Sequence, residues 1–166
     1  MATSTLIQRL DQSALVTSTT VPGGYTVVTT PDVSNRSQEE TFLAGGTITA
    51  GDWVIFDTSA TGAARVLTVI QSPATAGNPL AVGVALNSAT AGQRVDVCVA
   101  GYAASANVAT LAAGAQAKGQ AITTSGAVAG RAIKYDAAVH TNASPVAVLL
   151  EDAAANVAAV WVFKQF

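Results

Sequence analysis

The chain contains a single histidine and a single cysteine, and these two residues limit the reactions that it can support. His140 lies in the segment Ala138–Asn142, which is typical of a loop after a strand. A Ser-His-Asp triad would have to use this imidazole, yet no Gly-x-Ser-x-Gly motif marks a nucleophile. Cys98 stands between two valines, a setting typical of a buried small residue whose thiol is not activated. A lone cysteine also excludes an intrachain disulfide and a cysteine-based zinc site.

Carboxylates provide two further candidates for chemistry. The segment Asp57–Gly62 begins like a calcium-binding loop, but Thr68 stands where the bidentate glutamate belongs, so we interpret the segment as a β-turn. The pairs Glu39-Glu40 and Glu151-Asp152 have no second acid whose distance the sequence defines, as glycoside hydrolysis would require. The residues therefore predict no catalytic site, no metal site and no cofactor, and we expect the chain not to be an enzyme.

The composition favours a protein that contacts other proteins. Ala, Val, Thr and Gly supply 90 of the 166 residues, and 11% of the residues are charged, where about a quarter is usual. The net charge is -2 and there is no basic cluster, so we expect no nucleic-acid partner. Polar residues interrupt every apolar run before the roughly 18 residues of a membrane helix, and residues 1–5 do not begin a signal peptide. We therefore expect no membrane partner, and synthesis in a host cytoplasm.

The first 46 residues differ from the rest and are predicted to form an extended N-terminal arm. The stretch Thr17–Asn35 contains turn-forming Pro and Gly and no sustained apolar period. Within it, Tyr25–Val28 is predicted to form a short strand. The capping box Ser37–Glu40 predicts one helical turn that leads into the main domain. We expect the arm to contact a partner protein or a neighbouring subunit through Leu6, Ile7, Arg9, Leu10, Tyr25, Val27 and Val28.

Residues 47–166 carry the pattern of an all-β domain. Short β-branched runs recur about every 8 to 15 residues with Gly, Pro or Asn between them, which is typical of a small barrel or sandwich. The clearest run is Arg94–Val99, in which valines alternate with other residues. Trp53 and Trp161 are predicted to be core or interface anchors. The predicted strands are 53–56, 65–70, 80–86, 94–99, 120–124, 131–135, 146–151 and 157–163.

A comparison of the sequence with itself predicts two copies of one β unit. The matched segments are separated by 63 to 66 residues, a nearly constant spacing. The two units, 48–101 and 111–163, are expected to pack as pseudo-equivalent lobes of one barrel, because neither has enough large apolar residues for its own core. The matches are Ile48–Gly51 with Leu111–Gly114, Pro79–Val82 with Pro145–Val148, and Val95–Val97 with Val160–Val162.

Three segments resemble the decoration, or cement, proteins of tailed-bacteriophage capsids. In Ala50–Val54 a Gly-Asp turn opens a strand, Pro79–Ala85 contains an Ala-Val-Gly-Val-Ala strand, and Ala91–Gly101 is an alternating valine strand that ends in Gly. The resemblance covers residues 48–101 directly, residues 111–163 through the predicted repeat, and none of the arm. It implies a non-enzymatic protein, often a homotrimer, on the outer capsid surface of the virion. Its partner would be the major capsid protein, whose neighbouring copies it would bridge and stabilise.

A second function stays open, that of a trimeric virion spike or fibre base that presents a glycan-binding face to the host. This function requires exposed aromatic residues and acids at one end of the domain, and Trp53, Trp161 and Tyr102 are the available platform. A major shell subunit is disfavoured because it requires a long helix, and no segment has a sustained 3.6-residue period.

Overall fold

The computed structural model describes residues 37–75, 77–109, 116–140 and 143–166, together with the backbone of residues 17–21 and 24–30. The described chain is nearly all β, which confirms the predicted fold class. It divides into two compact units, Met1–Ser37 and Gln38–Phe166. No helix among the described residues is long and apolar enough to cross a membrane. The strands are β1 Thr17–Val21, β2 Gly24–Thr30, β3 Ser37–Ala44, β4 Trp53–Phe56, β5 Thr68–Gln71, β6 Ala81–Ala85, β7 Arg94–Asn107, β8 Ala121–Thr124, β9 Ala132–Lys134, β10 Ala147–Leu149 and β11 Val157–Val162.

The described part of the first unit is an antiparallel pair of strands. β1 pairs with β2, and Val21 lies opposite Gly24. β2 includes the strand predicted at Tyr25–Val28, which is therefore confirmed. The contacts predicted for the other arm residues stay predictions, since Leu6, Ile7, Arg9 and Leu10 lie outside the described residues.

The helical turn predicted at Ser37–Glu40 is wrong, because these residues begin strand β3. Phe42 and Ala44 are buried while Thr41 and Leu43 are exposed. Burial of every second side chain is typical of a strand, and its contribution here is larger than that of the capping box, which favours a helix. The second unit therefore begins nine residues before the boundary expected after residue 46, and it includes nearly all of β3.

Five strands of the second unit close into a barrel, which we call lobe 1. Their order is β3-β5-β4-β6-β7, and β7 pairs back onto β3. β3 runs parallel to β5, while the pairs β5–β4, β4–β6 and β6–β7 are antiparallel. Closure leaves no unpaired strand edge in this barrel. Its interior is filled by the buried residues Phe42, Ala44, Ile48, Val54, Val69, Val82, Ala85, Ala89, Val95, Val97 and Val99.

The other strands continue the sheet from β7 in the order β7-β11-β10-β8-β9, and we call this group lobe 2. β7 serves both lobes because it is 14 residues long. Its first part pairs with β6, and residues 101–107 pair with β11. The inner face of lobe 2 packs on the outer face of lobe 1. The shared core includes Trp53, Val84 and Cys98 from lobe 1 and Ile122, Leu149 and Val160 from lobe 2.

The two lobes share an order of strands and a set of hydrogen bonds. The order β5-β4-β6-β7 in lobe 1 corresponds to β9-β8-β10-β11 in lobe 2. The Gly51 amide donates to the carbonyl of Ala85 at 2.8 Å, and the Gly119 amide donates to that of Leu149 at 2.7 Å. Both glycines have positive φ angles, 89° and 82°. Glycine adopts this conformation readily, and it allows the chain to turn tightly before the strand.

These pairings also define which residues correspond, and the correspondence differs from the predicted one. Trp53 lies opposite Val84 in lobe 1 as Ala121 lies opposite Val148 in lobe 2. Val148 therefore corresponds to Val84, whereas the sequence comparison matched it with Val82. A shift of two residues leaves every side chain on the same face of a strand, so alternation alone does not detect it. The predicted match to residues 111–114 lies outside the described residues.

Two predicted strands differ from the observed ones in length. The strand predicted from Arg65 begins at Thr68, because residues 62–66 form a 3₁₀ turn. The strand predicted to end at Val99 continues to Asn107. It passes through Gly101, which does not end the strand because Val162 of β11 pairs with it.

Candidate functional site

His140 is part of a structured loop. Its imidazole is nearly buried and stacks on the ring of Tyr135, with the ring centroids 5.7 Å apart. Nδ1 lies 3.0 Å from both the amide nitrogen and the carbonyl oxygen of Asp136. In either tautomer this nitrogen therefore bonds the loop backbone. The geometry gives the imidazole a structural role.

The segment Asp57–Gly62 forms the predicted turn. Oδ1 of Asp57 accepts hydrogen bonds from the hydroxyl of Ser59 at 2.6 Å and from its amide at 2.9 Å. These bonds from Ser59 hold the pKa of Asp57 below its usual value. Among the described residues, no three His, Cys, Asp or Glu side chains lie close enough together to hold a metal ion.

The acid pair at residues 151–152 supports the backbone of lobe 2. Oε1 of Glu151 accepts the Ala159 amide at 2.7 Å, and Oδ1 of Asp152 accepts the Lys118 amide at 2.9 Å. The other pair, Glu39-Glu40, is exposed on β3. The two pairs therefore lie on different lobes.

Cys98 is buried in the core shared by the two lobes. Its Sγ lies 3.5 Å from the carbonyl oxygen of Ala100. Burial raises the pKa of the Cys98 thiol to about 11. Because the thiolate is the nucleophile, a neutral buried thiol is inert near neutral pH.

We expect Cys98 to react with maleimide at pH 7.5 at least about 100-fold more slowly in the folded protein than in urea, since the unfolded thiol ionises near its ordinary pKa of about 8.5. The folded-state rate should rise as the pH approaches 11, the folded pKa. Mass spectrometry of timed reactions measures both rates. Equal rates with and without urea would contradict the burial described here.

A polar cluster around the buried Asp52 lies at the junction of the lobes, and we call Thr49, Asp52, Gln71 and Asn107 the Asp52 cluster. Oδ2 of Asp52 accepts the Thr49 amide at 2.9 Å and the Gln71 side-chain amide at 2.8 Å. Oδ1 accepts the Asn107 side-chain amide at 2.9 Å. Since Asn107 ends β7, these bonds tie the start of β4 to the part of β7 that belongs to lobe 2. In the sequence, Asp52 is marked only as part of the Gly-Asp turn that opens a strand.

The two tryptophans lie in different environments. Trp53 is 0% exposed, and its indole N–H donates to the carbonyl of Asn107 at 3.1 Å. Lobe 2 covers it, so Trp53 is a core residue and is removed from the interface candidates. Trp161 is 38% exposed on the outer face of β11 and stays a candidate.

Trp161 belongs to a line of neighbouring side chains across the outer face of lobe 2. It lies opposite Tyr102 on β7 and opposite Val148 on β10. Val148 in turn lies opposite Ala121 on β8. Residues directly opposite in antiparallel strands present their side chains on one face. We call Tyr102, Trp161, Val148 and Ala121 the aromatic row.

A second apolar surface lies on lobe 1. It is a groove of about 340 Å³ whose walls include Phe42, Phe56, Val66 and Phe166. The ring of Phe56 packs on those of Phe42 and Phe166, at centroid distances of 6.1 and 5.0 Å. Val66 and Phe166 are each 58% exposed. Glu40 and Lys164 also line this groove, which combines apolar walls with charges of both signs.

The fold is a closed barrel that shares strand β7 with a second β lobe. Both lobes have exposed apolar side chains. Neither a protein-family model nor a curated protein matches the chain. Among solved structures, it resembles a chain from the capsid of Myoviridae phage XM1, at 20% identity and a TM-score of 0.53, covering 93% of this chain and 98% of that chain. It also matches the head fiber gp8.5 N base of bacteriophage phi29, at 14% identity and a TM-score of 0.48, covering 76% of this chain and 94% of that chain. The first likeness shows that this chain and the XM1 capsid chain have the same fold.

Proposed function

We propose that this chain is a capsid decoration protein. It binds the outer surface of an icosahedral phage head as a homotrimer and stabilises the head by bridging neighbouring copies of the major capsid protein. It works through contacts alone, without a catalytic site or a cofactor.

The observation that carries this proposal is the exposure of large apolar side chains in two groups. One group includes Val66 and Phe166 at the groove of lobe 1, and the other is centred on Trp161. Contiguous exposed apolar patches on a folded domain mark surfaces that contact other proteins. Two such surfaces allow one chain to contact another copy of itself and the shell at the same time, so that the joined copies can bridge neighbouring capsid proteins.

The fold gives independent support. The XM1 chain comes from a phage capsid, and its likeness extends over nearly the whole length of both chains. The resemblance of residues 48–101 to decoration proteins rests on short sequence motifs and leads to the same class of protein.

The first unit supplies a further contact in this proposal. Residues Met1–Ser37 form a compact unit of their own, and Tyr25, Val27 and Val28 lie in the paired strand β2. An added unit raises the number of simultaneous contacts with the shell, and linked contacts strengthen one another through effective concentration.

Deletion of residues 2–30 is expected to lower the occupancy of the chain on phage heads at least about tenfold, because it removes one of several linked contacts. The deletion leaves β3 and both lobes intact, since the second unit begins at Gln38. Co-sedimentation of the purified variant with undecorated heads measures the occupancy. Circular dichroism melts check that the lobes remain folded.

The matched control is Val139→Glu in the full chain, which changes an exposed side chain of a lobe 2 loop and leaves the first unit in place. Its occupancy should equal that of the unaltered chain. Full occupancy of the deletion variant would refute the role of the arm. Failure of the unaltered chain to bind any head would refute the decoration function itself.

The glycan-binding alternative draws on the same aromatic row, since Tyr102 and Trp161 are neighbours on an outer face. Glycan binding also needs free acidic side chains at that face, but the two acids that follow β10 already accept hydrogen bonds within lobe 2. Glu151 and Asp152 accept backbone amides of lobe 2. The decoration function is therefore the one that the geometry supports better.

A further inference from the structure

The outer face of lobe 1 contains a line of side chains that lobe 2 covers completely. Trp53 on β4, Val84 on β6 and Cys98 on β7 lie opposite one another in the sheet. All three are 0% exposed, and all belong to the core that the two lobes share. In lobe 1, this line is the surface on which the next lobe packs.

The aromatic row is the corresponding line of lobe 2. In lobe 1, Val84 lies between Trp53 and Cys98. In lobe 2, Val148 lies in the same way between Ala121 and Trp161. Ala121 therefore corresponds to Trp53, and Trp161 corresponds to Cys98. The same positions of the repeated architecture are therefore buried in lobe 1 and exposed to differing degrees in lobe 2. In stacked repeats, a terminal unit normally has a polar outer face. Here the terminal face has a tryptophan at its centre.

Two neighbours of the aromatic row are also apolar, while the carboxylate of Glu151 accepts the Ala159 amide on the same strand as Trp161. Leu150 is exposed beside it, and its amide donates to the carbonyl of Ala159 on β11. Phe163 follows two residues after Trp161 and is half-buried. The aromatic row and these two neighbours carry no charged side chain. An aromatic surface of this kind is typical of the centre of a protein interface.

We propose that a second copy of this chain packs on the aromatic row, which makes this face the subunit interface of the oligomer. The proposal rests on the homotrimer of the proposed function and names the surface that forms it. Two observations favour a second copy as the occupant. The interface would bury, between chains, the line of lobe 2 that corresponds to the line buried within the chain in lobe 1.

Charge is the second observation. In a homotrimer whose copies meet through this face, the three rows lie around the symmetry axis, where identical side chains approach one another and like charges would repel. The aromatic row is uncharged and avoids this repulsion. The groove of lobe 1 is different, because Glu40 and Lys164 line it. That groove suits a partner with its own pattern of charges.

The variant Trp161→Glu tests the proposal in the full chain. The side chain points outward, while the neighbouring Val160 and Val162 fill the core, so the lobes should remain folded by circular dichroism. Analytical ultracentrifugation of the unaltered protein should give the mass of an oligomer, three chains in the proposed function. Because tryptophans at the centre of an interface are enriched among the residues that dominate its binding energy, the variant should dissociate at concentrations at least about 30-fold higher. Val139→Glu, an equally simple change at an exposed apolar residue, should retain the oligomer.

A cross-linking measurement does not depend on dissociation. In Val148→Cys the new thiol lies on the aromatic row, and Cys98 is buried, so a short bismaleimide should link copies through residue 148. Val139→Cys is the matched control and should give less covalent dimer. This experiment detects the interface even if Trp161→Glu proves unstable.

Each outcome decides one proposal. A monomeric unaltered protein, or an unchanged mass for a folded Trp161→Glu variant together with no cross-link at residue 148, overturns the inference. If that variant keeps its oligomer but loses binding to heads, the row contacts the shell, so the inference is wrong while the decoration function stands. If the unaltered protein is an oligomer that Trp161→Glu dissociates, but it never binds heads, the inference stands and the decoration function fails.

Discussion

Replacement of Gly83 by alanine is expected to abolish the stable fold of lobe 1. A Cβ atom at this position would overlap the carbonyl oxygen of Cys98 and would lie 2.9 Å from its carbonyl carbon. Both are backbone atoms of β7, which no side-chain rotation can move away. β6 and β7, which are neighbours in the barrel, would have to separate. We expect a loss of more than about 4 kcal/mol in the free energy of unfolding, a large part of the stability of an ordinary domain.

Gly46→Ala is the matched control. A Cβ atom on Gly46 meets nothing within 4 Å, so the free energy of unfolding should change by no more than about 0.5 kcal/mol. Urea titration followed by circular dichroism measures both variants. Similar stability of the two variants would show that β6 and β7 do not approach as closely as described.

Asp52→Ala is expected to lower the free energy of unfolding by about 3 kcal/mol. The substitution removes the acceptor for the Thr49 amide and for the side-chain amides of Gln71 and Asn107. At this part-buried site, each donor left without its acceptor costs about 1 kcal/mol, the lower end of the range for buried groups. Since Gln71 belongs to lobe 1 and Asn107 to the part of β7 that pairs with lobe 2, the two lobes should also lose part of their cooperativity. Urea titration monitored by tryptophan fluorescence, to which Trp53 and Trp161 both contribute, measures the loss.

Asp96→Ala provides the comparison for Asp52→Ala. Its carboxylate accepts the hydroxyl of Thr41 at 2.6 Å, but the pair is exposed. Its loss should cost less than about 1 kcal/mol. A double-mutant cycle with Asn107→Ala should show that the effects of Asp52→Ala and Asn107→Ala are less than additive, as expected for bonded neighbours. Equal costs for Asp52→Ala and Asp96→Ala would mean that the Asp52 cluster does not hold the lobes together.

The strands were predictable where one face of a strand is buried. In β7, Val95, Val97 and Val99 alternate with other residues, and the structure buries all three valines. β3 was not predictable in the same way, because Ser37–Glu40 carries a stronger local signal for a helix start. These residues form a strand because β3 pairs with β5 and β7. Pairing between residues so far apart in the chain cannot be detected from the local sequence.

The surfaces were harder to predict than the strands. Trp53 and Trp161 both lie in β-branched strands, so the sequence favoured neither as the exposed one. Their difference arises because lobe 2 covers the outer face of lobe 1, and nothing described covers the outer face of lobe 2. The role of Asp52 depends in the same way on the distant Asn107, 55 positions along the chain.

Cryo-electron microscopy of the phage particle whose genome encodes the chain tests the decoration function most directly. The proposal predicts density for the two-lobed domain on the outside of the head, at junctions between neighbouring major capsid proteins. A head with no such density on its outer surface, or with the chain located only in its interior or in the tail, would contradict it.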